Sequence, residues 1–120
     1  MKAQQVVQGV VYRWQGNELE FLVIKRVPED GGFWQAVTGT VEEGEDAEQA
    51  LRREIKEEAG IATVLHISNC LEVYTWRIDA KGITGTDYVY AVEVASDEQV
   101  VLDPKEHTDF VWHSLGDAIK

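Results

Sequence analysis

Residues 39–61 read GTVEEGEDAEQALRREIKEEAGI, and Gly39, Glu45, Arg53, Glu54, Ile55, Glu57, Glu58, Gly60 and Ile61 stand in it at the spacing G-x5-E-x7-R-E-U-x-E-E-x-G-U, where U is aliphatic. At this chain's residue frequencies, such a coincidence arises on the order of once in a million sequences. The stretch predicts a helix over 46–59. Acidic residues crowd its first turn, where the helix dipole favours them, and Gly60 follows where a left-handed C-terminal cap is wanted. At about 100° per residue, Ala47, Leu51, Ile55 and Ala59 form an apolar stripe. Glu54, Glu57 and Glu58 fall at i, i+3 and i+4 on an adjoining face.

Like charges at that spacing disfavour a helix by roughly 0.2–0.5 kcal/mol per pair, so water or a cation must reconcile them. A solvated acidic face is the ordinary outcome for three glutamates on one helix. The alternative is a cation, since a cluster of carboxylate oxygens suits hard divalent ions such as Mg2+.

That spacing is the Nudix box. The chain resembles the Nudix hydrolases, which cleave pyrophosphate bonds in nucleoside diphosphates linked to another group, using Mg2+ or Mn2+. The resemblance implies a Nudix-type α/β/α sandwich of the α+β class, built on a mixed β-sheet. It also implies roles for particular residues. The backbone carbonyl of Gly39 and the carboxylates of Glu54, Glu57 and Glu58 become metal ligands. Glu54 is the first candidate for the base that takes the proton of the attacking water. Arg53 holds the motif glutamates by salt bridging, and Glu45 is its partner or supports the ligands from behind.

Residues 104–112 (PKEHTDFVW) look similar to a loop that adds an acidic group in this family. Glu106 is thereby a further metal ligand or the base, against an ordinary loop carboxylate. The catalytic candidates are Glu54, Arg53 and Glu106. His107 is either a phosphate contact or a solvated loop histidine.

Substrate identity lies mostly outside the box. Residues 33–45 (FWQAVTGTVEEGE) resemble the branch containing dihydroneopterin triphosphate and dATP pyrophosphohydrolases, which cut between the α and β phosphates. The implied substrate is a nucleoside or pterin triphosphate. A dinucleoside polyphosphate or nucleotide-sugar hydrolase is the enzymatic alternative, and a non-catalytic nucleotide sensor is the alternative of another class. Intact Glu54, Glu57 and Glu58 weigh against the sensor. Trp34 is a candidate for stacking on the ring, with core packing as the competing account, and at least one of Phe33 and Trp34 is expected in the core. Lys25 and Arg26, at the end of a strand leading to the box, are candidates to reach the phosphates.

Composition fits this reading. A chain of 120 residues with 44% hydrophobic content is expected to form one domain, 1–120. A net charge of −11 argues against nucleic-acid duplexes and anionic membranes as partners. The same charge repels a bare polyphosphate, which divalent ions would offset. With no apolar stretch of membrane-span length and no signal peptide, the expected location is cytoplasmic. The lone Cys70, in an apolar strand pattern, reads as a buried structural thiol.

Strands are expected over 3–14 and 18–27, joined by a Gln15-Gly16-Asn17 turn, and over 36–38, 69–78, 86–94 and 110–113. Tyr12, Trp76 and Tyr88 read as packing residues. Ser114 can cap a C-terminal helix from Leu115, yet Lys120 ends it before two turns. A helix that short or truncated leaves one sheet face for another subunit, so a homodimer is one expectation.

Overall fold

The computed structural model describes residues 2–114. Strands β1 (Lys2–Gln15), β2 (Glu18–Arg26), β3 (Trp34–Gln35) and β4 (Val37–Thr40) precede the helix α1 (Ala47–Ala59). Strands β5 (His66–Ile67), β6 (Glu72–Ile78), β7 (Ile83–Glu93) and β8 (His107–Ser114) follow it. All eight strands belong to one mixed sheet, so the expected α+β class with a mixed sheet is found. The helix expected from Leu115 lies outside the described residues.

β1 is the spine. On one edge it pairs antiparallel with β4 through 6–9 and with β2 through 12–15. On the other it runs parallel to β7, Lys2 opposite Ile83 and Tyr12 opposite Glu93. The β1–β2 hairpin closes at Gly16, whose φ of 63° a side chain would resist.

Alternation along β1 aims Val7, Gly9 and Val11 at α1. A Cβ on Gly9 would stand 3.2 Å from Leu51 and 3.7 Å from Ile55, so the bare glycine lets the helix settle close to the sheet. Leu51, Ile55 and Ala59 are buried, as the apolar stripe predicts, with Ala50 added. They meet Val11, Leu22, Ile24, Val37, Ile61, Val92 and Val94 from the sheet and its loops. Each large aliphatic side chain buried here contributes about 1.5–3 kcal/mol. The register that places Gly39 opposite Val7 puts that glycine on the helix side as well.

The expected strand 69–78 is found as β6 only from Glu72, and the short β5 (His66–Ile67) lies ahead of the expected start. Cys70 lies in the connection between them and is exposed, so the expectation of a buried thiol is overturned. β6 pairs with β7 alone, which leaves its apolar residues Val73 and Ile78 largely in solvent. Trp76 covers Gly85 with its ring and donates its indole N–H to buried Asp87 at 2.6 Å. Tyr12 and Tyr88 are half-buried in the sheet. Among the described residues, no helix is long and apolar enough to cross a membrane.

Candidate active site

The helix that carries the acidic cluster is pinned at both ends. Asp46 is the N-cap: its Oδ1 accepts from the Gln49 N–H at 2.8 Å, and Gln49 Oε1 accepts from the Asp46 N–H at 2.9 Å. At the other end Gly60, at φ 71°, donates its N–H to the Lys56 carbonyl. Reciprocal capping stops the first turn from fraying, so the glutamates it leads to have a fixed frame.

The three carboxylates share a side of α1 but differ sharply in environment. The Glu57 side chain is 59% exposed and that of Glu54 13%. Glu58 is 3% exposed, and its Oε2 has no hydrogen-bond partner. Burial is the main reason its carboxyl is pushed up to about 9, with the hydrogen bond and charge of Glu54 next and the charge of Glu106 after them. A hydrogen bond from the Thr38 backbone pulls the other way.

Arg53 ties the cluster together. Its Nε and one terminal nitrogen grip Glu45 at 2.7 and 3.0 Å, and the latter also donates to the Thr40 carbonyl at 3.0 Å. Its other terminal nitrogen reaches Glu54 at 2.5 Å and Glu57 at 3.4 Å. The hydrogen bond from Arg53 is the chief reason the Glu45 carboxyl is held down at about 2, and the guanidinium pKa is raised in return. The Arg53–Glu45 pair thus bridges the loop before the helix to the helix itself. Gly39 completes this side: a Cβ there would lie 2.1 Å from the Glu54 carboxyl carbon.

Glu106 is exposed, in a loop whose carbonyl accepts from the Val27 N–H at 3.0 Å. Its neighbour corrects the expectation of a solvated loop histidine. His107 begins β8, is 2% exposed, and its Nε2 stands 3.7 Å from Glu58 Oε1. Burial and then the charge of Arg26 lower its pKa, against the pull of Glu106, Asp103 and Asp30. Gln35, from β3, places its side-chain amide 3.3 Å from the same ring nitrogen. The sequence reading passed over Gln35, because a polar residue in a two-residue strand carries no periodic signal.

A family model described as NUDIX domain matches residues 3–120. The chain belongs to the NUDIX family. It is 36% identical to the dihydroneopterin triphosphate diphosphatase of Escherichia coli (strain K12) over 95 residues, 70% of this chain and 62% of that protein. It is 33% identical to the asymmetrical bis(5'-nucleosyl)-tetraphosphatase of Caenorhabditis elegans over 92% of this chain and 79% of that one. A Myxococcus xanthus octanoyltransferase is 32% identical over 97% of this chain, but the match spans only 32% of its length. The chain therefore covers less than two thirds of the octanoyltransferase and the E. coli diphosphatase.

Solved structures agree with the fold. The C. elegans Ap4A hydrolase binary complex superposes with a TM-score of 0.78 at 30% identity, covering 97% of this chain and 83% of that one. The E. coli dihydroneopterin triphosphate pyrophosphohydrolase gives 0.75 at 26% identity, covering 99% and 85%.

Within this NUDIX domain the donor chemistry fits a hard divalent cation. Glu58 presents a buried oxygen with no protein partner, and Gly39 keeps backbone close to the Glu54 carboxyl. Among the described residues, however, no three His, Cys, Asp or Glu side chains already form a set that could hold an ion. Arg53 accounts for part of this, since it engages Glu54 and Glu57.

The expected ring and phosphate contacts lie on neighbouring strands. Lys25 stands over Trp34, its Nζ 5.9 Å from the ring centre, and Arg26 over Phe33 at 5.7 Å. Phe33 and Trp34 are 51% and 44% exposed, so neither is the core residue expected of the pair. A two-residue strand held only by β2 gives them no second layer to pack into. Arg26 keeps its Nε buried without a partner.

Proposed function

We propose that this chain is a pyrophosphohydrolase, dependent on Mg2+ or Mn2+, that cleaves a nucleoside or pterin triphosphate to the monophosphate and pyrophosphate. The observation that carries this reading is the buried Glu58 with an unpartnered oxygen, next to a Glu54 packed against Gly39. A buried carboxyl oxygen without a partner is costly unless a ligand repays it.

The cation supplies charge neutralisation on the phosphates and a more acidic water. The residues do the rest. Gly39, Glu54, Glu57, Glu58 and Glu106 are the proposed ligands, of which Glu54 or Glu106 takes the proton from the attacking water. Water oxygen bonds to phosphorus, the bond to the bridging oxygen breaks, and pyrophosphate leaves. Arg53, fixed by Glu45, keeps Glu54 and Glu57 in register. Lys25 and Arg26 meet the phosphates, and the exposed face of Trp34 takes the ring.

A second reading, a dinucleoside polyphosphate hydrolase, is supported by the match to the C. elegans tetraphosphatase over 92% of this chain. The test is a Mg2+-dependent hydrolysis panel over dihydroneopterin triphosphate, nucleoside triphosphates, diadenosine polyphosphates and ADP-ribose, with products identified by phosphorus NMR. Pyrophosphate plus a monophosphate from one preferred triphosphate supports the first reading. Turnover confined to dinucleotides supports the second, and metal-dependent binding without turnover would make the chain a sensor.

A further inference from the structure

Three buried side-chain atoms lack a partner among the described residues: Glu58 Oε2, His107 Nδ1 and Arg26 Nε. Two of them belong to side chains that face one another. His107 Nε2 stands 3.7 Å from Glu58 Oε1 and 3.3 Å from the Gln35 amide nitrogen, with both His107 and Glu58 almost wholly buried. Nothing in the proposed hydrolysis uses His107.

The chemistry of the pair restricts the imidazole. A cation holds Glu58 as a carboxylate, which only accepts hydrogen bonds. A bare Nε2 would then set a lone pair against a carboxylate oxygen and leave the ring proton on Nδ1, buried with no acceptor. Placing the proton on Nε2 avoids both. With its amide flipped, Gln35 turns its oxygen to the same Nε2–H, which then lies between two acceptors, Gln35 and Glu58. Closing 3.7 Å to a hydrogen bond of about 2.9 Å takes less than an ångström.

We infer that His107 is a positioning residue for Glu58: its Nε2–H, steered by Gln35, holds Glu58 Oε1 and leaves Oε2 for the divalent cation. This rests on the reading of Glu58 as a cation ligand. Three separate elements converge to make the arrangement, α1 carrying Glu58, β3 carrying Gln35 and β8 carrying His107. The cation affinity is thereby coupled to where β8 begins.

The test measures free Mn2+ by electron paramagnetic resonance, without substrate, for the wild type, His107→Leu, His107→Gln, Glu58→Gln and the Glu58→Gln/His107→Leu double variant. His107→Leu should weaken Mn2+ binding by about 10- to 100-fold, the usual effect of losing such a support. His107→Gln, which keeps an N–H near the Nε2 position, should stay within about threefold of wild type on the same scale. In the Glu58→Gln background, His107→Leu should change nothing further. A folded His107→Leu variant with wild-type Mn2+ affinity overturns the inference, whatever its melting temperature, because that is what a packing role gives. So does an equal loss in the Glu58→Gln background.

Should His107→Leu not fold, nitrogen-15 NMR of the unaltered protein with Mg2+ decides. An Nε2–H tautomer is expected, and an Nδ1–H tautomer refutes the pairing. Wild type that binds no Mn2+ overturns the ligand reading of Glu58 together with this inference, whereas binding without turnover in the hydrolysis panel would leave the inference standing.

Discussion

A Cβ on Gly39 would fall 2.1 Å from the Glu54 carboxyl carbon, well inside van der Waals contact, so the two residues can share this space only while position 39 has no side chain. Gly39→Ala must therefore expel the Glu54 side chain or move β4. A displacement near 1 Å in a catalytic group can lower kcat by about 100-fold, and overpacking of this kind costs about 1–3 kcal/mol of stability. Kinetics and thermal melting of Gly39→Ala check both. Wild-type turnover in that variant would remove Glu54 from the reaction.

Glu58 predicts an unusual dependence of stability on pH. Its folded-state pKa, about 9, lies above the ordinary value of 4.5, so the folded protein binds the proton more tightly than the unfolded chain. The stability this group contributes is full below about pH 4.5 and is lost as pH rises towards 9. The metal-free protein should therefore melt at a lower temperature at pH 9 than at pH 6, and Mg2+ should recover more of the loss at pH 9 by binding the folded state alone. Glu58→Gln should flatten the dependence. Glu57→Gln, at a largely exposed site, should leave it in place while still abolishing turnover if Glu57 is a ligand. A melting profile that rises with pH in the absence of metal contradicts this account of Glu58.

The helix and its caps were legible because capping and apolar spacing are local. Glu58 lies three residues after Ile55 and seven after Leu51, the spacing of the buried stripe itself, so its burial was implied by the same periodicity that placed Leu51 and Ile55 in the core. The β1–β2 hairpin was legible through Gly16. The late start of β6 was not, because Cys70, Leu71 and Val73 fit an apolar strand pattern, whereas Cys70 and Leu71 fall in the connection before it and Val73 on an edge strand, all of them exposed. The apolar pattern of 110–113 leaves His107 outside the strand, as a phosphate contact or a solvated loop histidine, whereas β8 starts three residues earlier. The contact of His107 with Glu58 joins residues far apart in the chain, and pairings of that kind leave no trace in local spacing.

Arg53 serves four acceptors with one rigid fork, Glu45, Glu54, Glu57 and the Thr40 carbonyl. Lysine carries the same charge but cannot grip Glu45 with two nitrogens while reaching Glu54 with a third. Arg53→Lys should lower kcat by about 10- to 100-fold with a smaller change in KM, since the loss is of ligand orientation rather than substrate contact. Glu45→Gln should act in the same direction. The Glu45 carboxyl stays ionised down to about pH 2, so its stabilising effect is present above the ordinary carboxylate pKa and fades only as pH falls towards 2. Steady-state kinetics of Arg53→Lys near neutral pH are the measurement, and an unchanged kcat with a raised KM would make Arg53 a substrate contact instead.

Trp34 separates recognition from folding. The side chain is 44% exposed on a strand of two residues, with Lys25 near its ring, so its removal takes little from the core. Stacking of an aromatic side chain on a base is worth about 1–3 kcal/mol in nucleic-acid complexes, which corresponds to about 5- to 150-fold in affinity at 1.4 kcal/mol per factor of ten. Trp34→Ala should therefore raise KM for the preferred triphosphate within that range, leave kcat near wild type and barely move the melting temperature. Trp34→Phe, which keeps a smaller face, should recover part of the loss. A Trp34→Ala variant with unchanged KM and a large drop in melting temperature would show that the indole packs and does not bind the ring, and would return ring recognition to another part of the sheet.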